Sequence, residues 1–279
     1  MAKITIKKIL YHINVFYARH IESLPYRNWF NPLVTLYLNF RCFPLRQAWR
    51  LPVFVYGWPK LFSLVGSMEC VDECYTGMVE LNRTIDGMPN HPGPSTAIYL
   101  FGKIIFHGKC FIHTFNKITV ARTGVLELGK DTKIMCAVNI TAYKSVRIGN
   151  NSWIVHRCQV MDTNYHFVAD FKHGRVNQRY KPIIIGDYCW ICNSSTISGG
   201  AVIPNKTIVA SNSLVNKDMS DIPEESVIGG QPAKLISTGY RRVDSNRFER
   251  IIMKWLREHP EALFFPLKEG IDHLVCDAD

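Results

Sequence analysis

The sequence of 279 residues predicts an all-β solenoid. Two observations predict it: from Ile185 to Val215 every sixth residue is a medium aliphatic, and a small residue follows four positions after each of the first five. A period of six fits neither the 3.6-residue turn of an α-helix nor the two-residue alternation of a strand. It fits a coil with three flat faces whose aliphatic side chains point to the axis. The aliphatic positions are Ile185, Ile191, Ile197, Ile203, Val209 and Val215, and the small ones are Cys189, Ser195, Ala201, Thr207 and Ser213.

The same register extends upstream with slips, which predicts further coils. Three faces of six residues make roughly eighteen residues per coil, so each upstream block is about one coil. Stacked coils lie about 4.8 Å apart and pair their backbone polar groups with those of the next coil. The end coils then need caps, because their edges are open to other chains. The upstream aliphatic positions are Phe106, Ile112 and Ile118, then Leu128, Ile134 and Ile140, then Ile148, Ile154 and Val160.

Residues 1–62 precede the coils and have a different character. Residues 1–60 contain nine basic residues against the single acid Glu22, together with many aromatic groups and five prolines that forbid one long helix. No uncharged run reaches the roughly 18 to 20 residues of a spanning helix. Two interpretations stay open: a helical and extended cap on the first coil, and a segment that lies on a membrane surface. No recognition motif accompanies the charge, so we expect no nucleic-acid partner.

Residues 63–237 are expected to form the solenoid domain, and residues 238–279 a helical C-terminal segment. Val160 and Ile185 lie 25 residues apart, which is not a multiple of six, so residues 161–180 are predicted to leave the stack as a loop. Long excursions from a rigid scaffold often carry function. After Ile236 the period ends, and the run RFERIIMKWLREH has apolar groups at helical spacing, which predicts a helix packed on the solenoid.

Composition places few limits on function. A hydrophobic content of 47% supports a well-buried core. Nine cysteines without tight clustering, and no continuous apolar stretch of the signal-peptide type, favour a reducing compartment. We therefore expect a cytoplasmic location, with association to the cytoplasmic face of a membrane left open.

Four stretches between Ile148 and Ile236 carry a family resemblance. They are IGNNSWIVHRCQVMDTNYH, KPIIIGDYCWIC, VASNSLVNKD and VIGGQPAKLI. In this order they resemble the hexapeptide-repeat acyltransferases. The resemblance implies a left-handed parallel β-helix, acetyl-CoA as co-substrate and assembly as a homotrimer with the CoA slot between neighbours. The phrase MDTNYH resembles the branch that acetylates hydroxyls of sugars or of cell-surface polysaccharide precursors.

Acyl transfer from a thioester to a hydroxyl needs a base, and the predicted loop contains one. A neutral histidine accepts a proton near pH 7, because its unperturbed pKa is about 6.5. The resemblance places the catalytic histidine twenty residues before the glycine of the next Ile-Gly pair, where His166 precedes Gly186. Asp162 is predicted to orient this imidazole or hold the acceptor, although a backbone carbonyl could equally orient it.

The resemblance also implies the residues that contact acetyl-CoA. Small groups let the pantetheine lie close to the backbone, and lysines suit the phosphates. An outward tryptophan at this position lines the donor channel or only packs an interface. Ser237 stands where several relatives carry another basic residue, so one phosphate contact is missing from the pattern. The matching positions are Trp190, Asn193, Ser211, Asn216, Lys217 and Lys234.

Two other classes of function remain open at this point. A zinc lyase of the γ-type carbonic anhydrase kind would use three histidines, for which His107, His113 and His156 are the candidates. A non-catalytic β-helix could serve as a scaffold. We expect no metal, because single histidines on strands are mostly structural and the loop matches the acyltransferases.

Overall fold

The computed structural model describes residues 29–85, 95–268 and 271–277. The first 28 residues of the predicted N-terminal segment therefore lie outside the described residues. Three sheets form the sides of a β-helix, and from the first strand to the strand Leu214–Val215 the stacked strands join the three sheets in turn. Sheet 1 contains β1 (Val53–Val55), β4 (Val79–Arg83), β7 (Cys110–His113), β10 (Thr132–Ile134), β13 (Trp153–Ile154), β18 (Trp190–Ile191), β21 (Ile208–Val209), β23 (Ser226–Gly229) and β24 (Lys234–Thr238).

The other two sheets complete the triangular coil. Sheet 2 contains β2 (Lys60–Leu64), β5 (Ala97–Leu100), β8 (Lys117–Val120), β11 (Asn139–Ala142), β14 (Gln159–Met161), β19 (Thr196–Ser198) and β22 (Leu214–Val215). Sheet 3 contains β3 (Ser67–Cys70), β6 (Lys103–Phe106), β9 (Val125–Leu128), β12 (Ser145–Ile148), β17 (Ile183–Ile185) and β20 (Val202–Ile203). All neighbours in these sheets run parallel except β23 and β24, which are antiparallel. The β-helix predicted from the sequence is confirmed.

The aliphatic side chains that recur every six residues form the core of this solenoid. On sheet 2 the aliphatic side chains pair coil by coil in the order Ile98, Ile118, Ile140, Val160, Ile197 and Val215. Each of these is at most 1% exposed. Because sheets 1 and 3 carry equivalent ladders, every predicted aliphatic position faces the axis.

The corners also repeat every six residues. The residue immediately before each small position adopts a left-handed backbone, with φ between 56° and 93°. Only Gly200 in this series is a glycine, so most corners place an ordinary side chain where L-residues are disfavoured. Stacking with the corners above and below keeps these turns in place. The series is Tyr188, Ser194, Gly200, Lys206 and Asn212.

Short helices precede the first coil, as the prolines predicted. Helix α1 (Pro32–Cys42) begins at the N-cap Asn31 with a proline in its first turn, and α2 (Leu45–Ala48) follows. Strand pairing begins at Val53, within the segment expected to be a cap. Thus the first coil includes part of that segment.

The predicted C-terminal helix is present as α3 (Asn246–Glu258), which Ser245 caps. Of its apolar side chains only Phe248 is fully buried. The rings of Phe248 and Trp255 instead meet Phe265, at 5.9 Å and 5.4 Å between centroids. Ile252, Trp255 and Leu256 are half-buried, and Asn246 and Glu249 near the start of the helix line a cleft together with Trp153 of sheet 1. No helix in residues 29–85, 95–268 or 271–277 is long and apolar enough to cross a membrane.

Adjacent isoleucines in β17 provide a test of the core. Ile185 is 1% exposed and Ile184 is 44% exposed. We expect Ile185→Ala to lower the free energy of unfolding by about 2–5 kcal/mol through a cavity. Ile184→Ala should cost about 0.5 kcal/mol. Urea unfolding measures both variants, and equal losses would contradict the assigned register.

Candidate active site

The long loop leaves the solenoid at the corner between sheets 2 and 3. It starts after β14 and returns at β17, and its two ends meet where the Lys181 N–H donates to the Asp162 carbonyl at 2.9 Å. Beyond this base, β15 (Val168–Asp170) and β16 (Arg175–Asn177) form an antiparallel hairpin. The predicted loop is thus an ordered projection.

Asp162 fastens the base of the loop to the preceding coil. Its side chain is completely buried, and its two carboxylate oxygens accept the backbone N–H groups of Tyr143, Lys144 and Ser145 at 2.6 to 2.9 Å. Burial raises the pKa of this carboxyl, and the three hydrogen bonds oppose that shift. Among the hydrogen bonds of the described residues none joins Asp162 to His166. The carboxylate positions the loop's base and does not hold the imidazole directly.

His166 lies just before the hairpin, with an exposed side chain. The preceding Tyr165 has a left-handed backbone, with φ of 63°. Its ring packs edge-on against Tyr143, at 5.5 Å between centroids, and its hydroxyl lies 3.3 Å from Thr141 Oγ1. The His166 N–H donates to the Asn164 carbonyl at 2.8 Å. The backbone at His166 is therefore held while the imidazole faces solvent.

The predicted CoA contacts divide between two corners of the solenoid. Between sheets 1 and 2, the Ser211 hydroxyl donates to Asn193 Oδ1 at 2.8 Å, and both residues are exposed. Asn216 and Lys217 follow β22 and are exposed at the corner between sheets 2 and 3, the corner that carries the loop. Lys234 is exposed at the start of β24. The structure groups these residues in pairs but does not gather them into one pocket of a single chain.

Trp190 lines a cleft of about 470 Å³ on the outer side of sheet 1. Trp153 occupies the equivalent place one coil earlier and pairs with it in register. Lys133 and Phe111 continue the same outward row. Of the residues that line this cleft, the sequence analysis assigned only Trp190 to the acetyltransferase site. The signal was the repeated Trp-Ile pair, at 153–154 and 190–191, which marks one outward position on successive coils.

Two cations lie over the ring of Trp153. Lys133 Nζ and Arg242 Cζ each lie 4.0 Å from its centroid, a favourable cation–π distance. Arg242 comes from the C-terminal segment, donates to the Asn151 carbonyl at 3.1 Å and pairs with Asp244. Burial raises the pKa of Asp244 to about 6, although Arg242 and Arg241 act to lower it. The result is a cleft that combines aromatic surface, carboxylates, amides and cations.

The three candidate zinc histidines do not converge. His107 follows a strand of sheet 3, with Nδ1 2.7 Å from Asp72. His113 ends a strand of sheet 1, fully buried, and its Nδ1 accepts the Thr114 N–H at 2.8 Å. His156 lies beside Cys136, with 3.2 Å between Nδ1 and Sγ. Within the part of the chain that the structure describes, no three His, Cys, Asp or Glu side chains are grouped to hold a metal ion.

Two curated sequence relatives carry acetyltransferase names. The chain is 29% identical over 124 residues to the putative lipopolysaccharide biosynthesis O-acetyl transferase WbbJ of Escherichia coli. It is 26% identical over 115 residues to the putative acetyltransferase YvoF of Bacillus subtilis. Each match covers 40% of this chain and 60% of the relative, so the chain spans about 60% of the relatives' length. The resemblance to hexapeptide-repeat acetyltransferases is confirmed. No protein-family model matches the chain.

Solved structures that are similar to this chain also carry acetyltransferase names. One is the polySia specific acetyltransferase NeuO, with 19% identity and a TM-score of 0.44, covering 73% of this chain and 99% of that one. Another is a hexapeptide-repeat containing acetyltransferase of Vibrio cholerae complexed with acetyl coenzyme A. It has 27% identity and a TM-score of 0.35, covering 40% of this chain and 60% of that one.

Buried His113 predicts a pH dependence of stability. Burial lowers its pKa from 6.5 to about 4, so the unfolded chain binds a proton at a higher pH than the folded chain does. His113 should therefore destabilise the fold as pH falls from about 6.5 toward 4, by up to about 1.4 kcal/mol per pH unit. His113→Gln should lose this part of the slope, whereas His173→Gln, at an exposed position, should keep it. Urea unfolding at several pH values measures the difference, and parallel curves for wild type and His113→Gln would contradict the assignment.

Proposed function

We propose that this chain is an O-acetyltransferase that moves an acetyl group from acetyl-CoA to a hydroxyl of a sugar or of a cell-surface polysaccharide precursor. One observation carries the proposal: the loop that matches the acyltransferase pattern is an ordered projection with the exposed imidazole of His166 at its root. The similarity to two curated acetyltransferases supports it.

His166 serves as the general base in this proposal. The neutral imidazole takes the proton of the acceptor hydroxyl as the oxygen attacks the thioester carbonyl. The carbon–sulfur bond then breaks, CoA leaves as the thiol after receiving the proton, and no covalent enzyme intermediate forms. Asp162 contributes indirectly, because its bonds to the backbone of residues 143–145 fix the base of the loop.

The acetyl-CoA slot is proposed to lie between protomers of a homotrimer. The Asn193–Ser211 pair and the Asn216–Lys217 pair lie on different corners of one solenoid, so one protomer supplies each half to a different groove. A cyclic arrangement would bring unlike corners of neighbours together and complete the slot. Trp190 would border the acyl group, and Lys217 and Lys234 would bind the phosphates as point charges.

The acceptor sugar is proposed to bind in the cleft beside Trp190. Trp190 offers apolar surface to a sugar ring, and Asn151, Asp131 and Glu249 offer hydrogen-bonding groups in the same cleft. A second cleft shares Lys109 and Lys133 with this one and extends along sheet 1 toward the first coils. This continuity suits an acceptor longer than one sugar. A cytoplasmic location, at the inner face of a membrane where such precursors are assembled, fits the proposal.

The rivals receive less support. A zinc lyase needs three converging ligands, and His107 lies on a different corner from His113. A scaffold without catalysis would leave the pattern of the loop unexplained, and it makes a different prediction for CoA binding.

Replacing His166 tests the proposed base. His166→Ala should lower kcat by about 10²- to 10⁴-fold, because the hydroxyl would lose its proton acceptor. His173→Ala is the matched control, since His173 lies on the same loop but its Nδ1 contacts Asp170 at 2.8 Å. The assay measures the rate at which the CoA thiol is released when acetyl-CoA reacts with a panel of sugar acceptors. Near-wild-type turnover of His166→Ala would exclude the general-base role.

Binding of CoA separates a transferase from a scaffold. A ligand that binds only the folded state stabilises it, by about 2.7 kcal/mol at a hundred times its Kd. We expect CoA to raise the melting temperature of the wild type and to raise that of Lys217→Gln less. Lys254→Gln, which changes an exposed lysine on α3, should match the wild type. If CoA leaves the melting temperature of the wild type unchanged, the acetyltransferase proposal fails.

A further inference from the structure

The outward face of α1 is apolar. One side of this helix is buried on the first coil and comprises Thr35, Leu38, Asn39 and Cys42. With about 100° between successive residues, the opposite side comprises Leu33, Leu36, Tyr37 and Phe40, and all four are exposed. A surface helix in a water-soluble domain normally presents polar side chains there. This helix therefore has an outer surface suited to an apolar environment.

The apolar surface continues onto α2. The ring of Trp49 packs edge-on against Phe40, with 5.0 Å between centroids. Trp49 is 76% exposed and Leu45 is 68% exposed. Contiguous exposed apolar patches mark binding surfaces more often than scattered single residues do. We call this surface the N-terminal patch, formed by Leu33, Leu36, Tyr37, Phe40, Leu45 and Trp49.

The charges around the patch select its partner. Arg41, Arg46 and Arg50 are exposed on or beside the same helices, and residues 29–68 contain no Asp or Glu. The nearest acids in space are Glu69, Asp72 and Glu73, since Gln47 bonds to Cys70 and Arg50 to the Cys74 carbonyl. The charged side chains of the two helices themselves are all cationic, and aromatic and aliphatic groups beside cations match the interface of a bilayer that contains anionic lipids. A second copy of this chain would bring like charges together, because the net charge is +10.

We propose that the N-terminal patch docks the protein on an anionic membrane surface. The apolar side chains enter the boundary between headgroups and acyl chains, Trp49 lies at headgroup level, and Arg41 and Arg46 contact lipid phosphates. The first coil then faces the membrane, and the solenoid extends away from it. This attachment does not depend on acetyl transfer.

Vesicle flotation of the full-length chain tests the docking. Wild-type protein should float with vesicles of phosphatidylcholine and phosphatidylglycerol, and much less with phosphatidylcholine alone or at high salt. The double variant Leu33→Gln, Trp49→Gln should reduce vesicle binding by about tenfold or more, because two apolar anchors are lost. Leu263→Gln is the matched control, since Leu263 is 96% exposed far along the chain, and it should float like the wild type. Thermal melting verifies that each variant is folded.

Three outcomes would overturn the proposal. Wild-type protein could remain in the lipid-free fractions with anionic vesicles. The double variant could float as well as the wild type, which would assign binding to another segment such as residues 1–28. Light scattering without lipid could show that the double variant has a smaller assembly mass than the wild type, which would assign the patch to contacts between copies.

Discussion

The inward ladder of aliphatic side chains is the constraint on which the rest of the structure depends. Each coil buries its apolar groups only against the coils directly above and below, and its backbone bonds to the same two neighbours. For that reason a long insertion can leave one corner without disturbing the stack. Although 25 residues separate Val160 from Ile185, Val160 still pairs with Ile197, and Ile185 with Ile148 and Ile203. The loop that contains His166 is therefore attached to a rigid frame at both ends.

The sequence predicts the positions that repeat every six residues. It does not predict contacts between residues that lie outside this repeat. The hexads predict the inward positions from Phe106 to Val215, because each position is decided by neighbours at fixed spacing. The pairing of Arg242 with Trp153 is not periodic, since it joins residues almost ninety positions apart through a segment with no repeat. The repeat also does not predict that Asp162 fastens the base of the loop. Its three backbone partners lie in the preceding coil, and only the folded chain brings them to the carboxylate.

The candidate site follows the same logic of faces and corners. Outward positions on sheet 1 carry aromatic and charged groups in one row, while corners carry the polar pairs and the loop. The two corners that carry the predicted CoA contacts lie at opposite edges of sheet 2, so one solenoid does not bring both to the same ligand. The chemistry proposed here consequently needs surfaces from more than one copy, and specificity for the acceptor can change on a face without altering the corners.

The reversal of direction at β24 has a consequence for assembly. In a parallel solenoid the free N–H and C=O groups of the last strand are complementary to those of the first strand. Identical molecules could therefore join head to tail without limit. Because β24 runs antiparallel to β23, the last edge of sheet 1 no longer matches its first edge. Helix α1 covers the opposite end with residues that belong to the core. Neither end of sheet 1 is therefore open to head-to-tail pairing with a second copy.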